Sequence, residues 1–225
     1  QELRDLMDAV GQGKVTRGEF VGTLLSFGLA APIAGQLLMH AGIAQAQTPS
    51  AYKPTKRGGG GPVKTLWWQG ATLLNPHFAT GTKDQDGSRI FYEPLAGWDY
   101  DGNLIPMLAA EIPTPANGGV SKDGKTIIWK LKKDVQWHDG KPFTADDVVF
   151  NWEYAADPAT ASVHIATYKD IKAEKVDSHT VRVILPKPTP FWADAFVGIR
   201  GMIIPKHVFE PFKGGKSREA PANLK

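Results

Sequence analysis

The side chains with the means to do chemistry fall in a few short stretches. His77, His138 and His164 could serve as general bases, and Asp139 stands directly after His138. A hydrolase assembled from them would need two carboxylates, or a Ser/His/Asp set, converging on a cleft. The sequence holds neither G-x-S-x-G nor H-E-x-x-H, the patterns that would mark a nucleophile elbow or a zinc-protease helix. Gly58 to Gly61 has no Lys-Ser/Thr after it, so it is no phosphate-binding loop. A second acidic pair, Asp146 and Asp147, follows Thr144. Polar neighbours at a turn or helix start usually serve the backbone, as Asx turns and caps. That reading gives His138, Asp139, Asp146 and Asp147 structural roles and makes hydrolysis the weaker alternative. No catalytic residue, metal ligand or cofactor site is assigned.

The element that must position these residues is the run from Gly124 to Ala156. Ile127, Trp129 and Leu131 alternate with Thr126, Lys130 and Lys132, the period of a half-buried strand. Asp139-Gly140 supplies turn chemistry, Thr144 can cap a helix, and Asp146 and Asp147 suit its positive end. Val148, Trp152 and Ala155 then form one apolar stripe. Strand, tight turn and capped helix follow in order.

Around this unit the pattern predicts a first strand over Val63 to Gln69, with Trp67 and Trp68 in the core or, alternatively, walling a cleft. Gly70 to Ser88 reads as a long loop. Arg89 to Leu95 reads as helical, with Ile90, Phe91 and Leu95 inward. Asp99 to Asn103 is a turn, and two prolines and a Gly-Gly make Ala109 to Gly119 a loop. Tyr168 to Val176 and Thr180 to Leu185 read as a hairpin lying beside the strand at Thr126. Phe191 to Val197 is a short helical or irregular piece, Met202 to Phe209 a strand entering a helix, and Gly214 to Lys225 lacks periodicity.

Composition narrows the class of partner. Across 225 residues the net charge is +3, and no basic run with interleaved aromatics occurs, so nucleic acid is not expected. Cysteine is absent, which removes disulfides, thiolate metal sites and a Cys nucleophile.

The wording W-x-L-K-K-x-V-x-W-H-D-G-K-P-F-T-A-D-D-V-V-F, from Trp129 to Phe150, resembles the motif of the dipeptide- and oligopeptide-binding family of ABC-transporter solute-binding proteins. Phe91 to Leu95, Asn103 to Glu111, Leu74 to Phe78 and Met202 to Phe209 are similar to further family segments, so the resemblance runs from about Val63 to Lys225. It implies an α/β (α+β), periplasmic-binding-protein-like fold of two lobes, the first lobe carrying a smaller inserted subdomain. This chain would hold only the N-terminal part of that lobe. The implied function is capture of peptides outside the cytoplasm and delivery to a permease in the inner membrane, without catalysis and as a monomer. Family members also carry nickel complexes, oligosaccharides or opines. By position in the family's cleft-facing loop, the resemblance points to Asn75, Phe78, Thr80, Gly81, Thr82, Lys83 and Asp84 as ligand contacts. The family's partner for a peptide amino terminus would lie in the other lobe.

Residues 1–46 read as an export signal. Leu3, Leu6, Met7 and Val10 make a short helical pattern, an apolar run spans Phe20 to Ala44, and Ala44-Gln45-Ala46 fits a cleavage site. Thr16 to Val21 resembles a twin-arginine motif in which Gly18 replaces the second arginine. A transmembrane helix is the rival reading of the run, which Gly28, Pro32, Gly35 and His40 interrupt. Residues 47–62 read as a linker, with the folded part beginning at 63. With no cysteine to carry a lipid, a periplasmic location is expected.

Overall fold

A computed structural model describes residues 2–12, 14–26, 61–62 and 64–224. The cleavage-site pattern and most of the linker therefore lie outside the described residues.

Two helices come first, α1 (Glu2–Gly11) and α2 (Arg17–Ser26). Val10, Phe20 and Leu24 are buried together, with Leu6, Met7, Val15 and Val21 packed around them. Thr16 and Glu19 close a reciprocal cap at the start of α2: Glu19 Oε2 accepts from Thr16 N at 2.8 Å and Thr16 Oγ1 accepts from Glu19 N at 3.2 Å. Among the described residues, no helix is long and apolar enough to cross a membrane.

After residue 64 the predicted first strand does not form. Residues 64–69 make no ladder, and Leu66, Trp67 and Trp68 are exposed, Leu66 almost completely. A strand needs a neighbour to take its N–H and C=O groups, and no described residue lies alongside to do so. The two indoles stack on each other at 4.6 Å instead of entering a core.

The long loop also contains more structure than its composition suggests. A 3₁₀ turn covers Pro76–Phe78 and a short helix, α3, covers Thr82–Ser88. The helix expected at Arg89 to Leu95 is α3 itself, displaced toward the N-terminus: Arg89 caps it, Ile90 and Phe91 are exposed, and only Leu95 points inward. Strands β1 (Ala96–Trp98) and β2 (Leu104–Pro106) then pair antiparallel, with Gly97 opposite Ile105. Asp99 closes their turn, its Oδ1 accepting from Asp101 N and Asn103 N, while Gly102 takes φ 77°.

The central unit follows its predicted order. Strand β3 (Thr126–Lys130) buries Ile127 and Trp129 and turns Lys130 outward. Strands β4 (Lys172–Asp177) and β5 (Thr180–Ile184) form the expected hairpin, and β5 lies between the others in an antiparallel sheet ordered β3-β5-β4. Trp129 pairs with Val181 and Ile127 with Val183, so apolar side chains meet on the inner face. The segment before β4 is not strand but a short helix, α5 (Ile165–Tyr168), and β4 starts at Lys172.

Helix α4 (Ala145–Ala156) packs across this sheet. Thr144 Oγ1 accepts from Asp146 N, and Asp147 Oδ2 accepts from Thr144 N at 3.0 Å. Ala145, Val148 and Ala155 sit in the sheet-side core with Trp129, Val181 and Leu185, and half-buried Trp152 donates its indole N–H to the Ile171 carbonyl at 3.0 Å. The helix has a second buried face. Phe150 and Tyr154 join Phe78, Ile204, Phe209 and Ala220 in a separate cluster. Helix α6 (Lys206–Phe209) and 3₁₀ turns at Gly214–Glu219 and Pro221–Asn223 close that side. Met202 makes only a single bridge, to Pro94, where a strand was expected.

Candidate functional site

Of the seven residues matched to a cleft-facing loop, Asn75 and Phe78 meet the second face of α4 at Tyr154, and the environments of the seven differ. Asn75 is fully buried. Its Oδ1 accepts from His77 N at 2.9 Å, which starts the 3₁₀ turn, and its Nδ2 donates to Asn223 Oδ1 at 2.9 Å. Leu74 N donates to the Asn223 carbonyl at 2.7 Å, a second tie to the same residue. Phe78 is buried against Tyr154, with the Arg218 guanidinium 3.7 Å above its ring. Asp84 is buried as well and accepts from Thr72 N at 2.7 Å, Leu73 N at 3.3 Å and Lys83 Nζ at 2.8 Å. Burial raises the proton affinity of that carboxyl, but the lysine and backbone donors outweigh it and hold the pKa below the usual range. Thr80 and Thr82 are exposed and Gly81 is half-buried, the part of the loop open to a ligand. The structure thus brings the seven together as an inner set, Asn75, Phe78, Lys83 and Asp84, beneath an accessible tip.

His77 lies under the same loop. Its Nε2 donates to Asn151 Oδ1 at 2.8 Å, which leaves Nδ1 to accept from Ser162 Oγ at 3.4 Å. Complete burial pushes its pKa down to about 4, and the nearby His164 acts in the same direction. Asn151 Oδ1 also accepts from Ile204 N at 3.2 Å, so one α4 side chain ties the loop to the 202–205 segment. His164 stands with its ring centroid 6.4 Å from that of His77. Burial and the charge of Arg200 lower its pKa, and its buried Nε2 has no hydrogen-bond partner among the described residues. Reading the sequence did not connect His164 with the loop, because Pro158 to Ser162 carries no local signal for the turn that returns it.

The residues weighed for hydrolysis do not form a set. His77 and His164 meet in the buried cluster. Asp139 instead accepts from Lys141 N in an Asx turn and pairs with His207 at 2.7 Å, and His138 is exposed. Asp147 caps α4 and accepts from Lys206 N at 2.9 Å, while Asp146 pairs with Lys175. Among the described residues, no group of three or more His, Asp or Glu is gathered as a metal cage.

A turn that sequence reading missed lies next to the loop. Gly198–Gly201 packs against Pro76–Phe78. It follows Phe196, a buried residue at φ 64°, in the left-handed region that bulky side chains rarely occupy. Fully buried Tyr168 braces the turn, donating its hydroxyl hydrogen to the Arg200 carbonyl at 2.8 Å and accepting from Phe196 N at 3.1 Å. A Cβ at Gly201 would stand 2.0 Å from the Phe196 carbonyl carbon. Only glycine fits there.

Comparison with known proteins agrees with this architecture. The family model "Bacterial extracellular solute-binding proteins, family 5 Middle" matches residues 103–223. The periplasmic oligopeptide-binding protein OppA of Escherichia coli is 29% identical over 214 residues, covering 87% of this chain and 36% of that protein. The oligopeptide-binding protein AppA of Bacillus subtilis, solved with a nonapeptide, superposes with a TM-score of 0.61 at 28% identity, over 69% of this chain and 30% of its own. NikZ of Campylobacter jejuni, solved with Ni(L-His), superposes at 0.55 with 28% identity over 66% and 28%. The chain spans about a third of the length of these relatives and carries part of their two-lobe fold. It belongs to the bacterial extracellular solute-binding proteins of family 5.

Proposed function

We propose that this chain is part of an extracytoplasmic receptor that binds di- or oligopeptides and hands them to the permease of an ABC importer. The observation that carries the reading is the family match over residues 103–223, which includes both the signature unit and Asn223, the residue that ties down the candidate loop. The names of the relatives, an oligopeptide-binding protein in the periplasm and one solved with a nonapeptide, favour peptides as the solute. Thr80, Gly81 and Thr82 offer hydroxyl and backbone groups to an extended ligand, and Asn75, Phe78, Lys83 and Asp84 fix the loop that presents them. Hinged closure on the solute would shape the surface that the permease reads. The receptor works as a monomer in the periplasm, exported by the signal in residues 1–46.

Mass spectrometry of solute co-purifying with the full-length protein tests the substrate class. A mixture of short peptides is expected. A nickel complex, an opine or an oligosaccharide in their place would redirect the assignment. Titration calorimetry with the captured peptide tests the loop. Thr80→Val with Thr82→Val should weaken binding roughly fivefold for each hydrogen bond lost, and unchanged affinity would remove the loop tip from the site.

A further inference from the structure

A groove of about 530 Å³ opens beside the candidate loop, between the β1–β2 hairpin and the 191–202 segment. That size suits a ligand of one or two residues. Its walls are apolar and aromatic: half-buried Trp98 and Met107 on the hairpin side face exposed Phe191 and Ile199 on the other. Arg89 and Arg200 also line it. The acidic group in the lining is Asp194, whose Oδ2 lies 3.9 Å from Arg200, a long contact between largely exposed groups that leaves the arginine fork available. Charge in the groove is therefore net positive beside an apolar slot. Arg200 and Ile199 ride on the Gly198–Gly201 turn, which Tyr168 braces from below and which follows the strained backbone at Phe196. Backbone strain held by buried hydrogen bonds marks functional positions more often than neutral surface. The same turn packs on Pro76–Phe78, so the groove continues from the candidate loop.

We propose that this groove is a subsite for the carboxyl-terminal residue of a bound peptide, with an aromatic or large apolar side chain between Trp98, Phe191 and Ile199 and the free carboxylate on Arg200, assisted by Arg89. The proposal rests on the peptide-receptor reading above and adds the preferred end group. A carboxylate is the planar anion that a guanidinium fork grips through two hydrogen bonds, and the neighbouring ring wall selects the side chain.

The test uses the full-length protein, with Ala-Ala-Phe and its carboxyl-terminal amide as probes in calorimetry. The wild type should prefer the acid, and Arg200→Gln should weaken the acid by about tenfold or more while leaving the amide unchanged. Trp98→Ala should weaken Ala-Ala-Phe more than Ala-Ala-Ala. Arg89→Gln, at an exposed helix end, repeats the charge test should Arg200→Gln fail to fold. Equal affinity of the wild type for acid and amide, or an equal loss of both in the arginine variants, would overturn the subsite and leave the receptor reading standing. Failure of the wild type to bind any peptide would overturn both.

Discussion

His77 couples the stability of the loop to pH. Its ordinary pKa near 6.5 falls to about 4 in the fold, so the unfolded chain binds the extra proton more readily between those values. Stability is therefore full above pH 6.5, declines as pH drops toward 4, and loses about 3 kcal/mol by the lower end. His164, lowered for the same reason, acts in the same direction. Urea unfolding of the wild type and His77→Gln across this window checks the assignment. The wild type should lose more stability on acidification, and parallel curves would refute it. Asp84, whose pKa is lowered, stabilises the fold above the ordinary carboxylate range and loses that contribution as pH falls below it. Tyr168 makes a second prediction: Tyr168→Phe leaves Phe196 N and the Arg200 carbonyl without their partner and should cost about 1–3 kcal/mol of unfolding free energy, read from denaturant titration. No sequence pattern gives either residue its bracing role. A histidine or tyrosine reads alike whether it braces a turn or faces solvent, and the partners here are 74 residues away for His77 and 28 to 32 for Tyr168.

The strand-turn-helix unit was readable because its causes are local. Ile127 and Trp129 alternate with polar neighbours, Gly140 takes φ 81° at the corner, and Thr144 with Asp147 caps α4. Thr144→Ala should therefore cost about 1 kcal/mol, measured as a shift in thermal midpoint, and Thr144→Ser should restore most of it. What periodicity showed of α4 was one stripe. The helix is buried on two faces, and its second, with Phe150, Asn151 and Tyr154, holds the candidate loop. Residues 64–69 failed the opposite way: the pattern of a strand is present, but pairing is a property of two segments. Gly214 to Asn223 gave no signal since its 3₁₀ turns are held by distant acceptors, as when Ser217 Oγ donates to the Thr160 carbonyl at 3.0 Å. At the 198–201 turn, Gly201→Ala should destabilise by about 2–3 kcal/mol or more, because the added methyl must displace backbone.

For the molecule as a whole, the family and its fold were legible from the signature, while the division into signal, linker and folded part stays an expectation from composition. Tryptophan fluorescence separates the two kinds of apolar surface in this chain. Trp67 and Trp68 are 43% and 68% exposed, against 1% for Trp129 and 5% for Trp192. In the 225-residue chain, acrylamide should quench a red-shifted component that disappears in Trp67→Phe with Trp68→Phe, and a quenching profile unchanged by those substitutions would place both indoles in a core. The tie between Asn75 and Asn223 joins residues 148 positions apart. During synthesis the loop is made early and its anchor emerges late. Ribosome-bound nascent chains that stop short of residue 223 would carry the loop with Leu74 N and one Asn75 amide donor lacking the Asn223 partner, so the loop gains this anchor only after all three strands of the central sheet have been made.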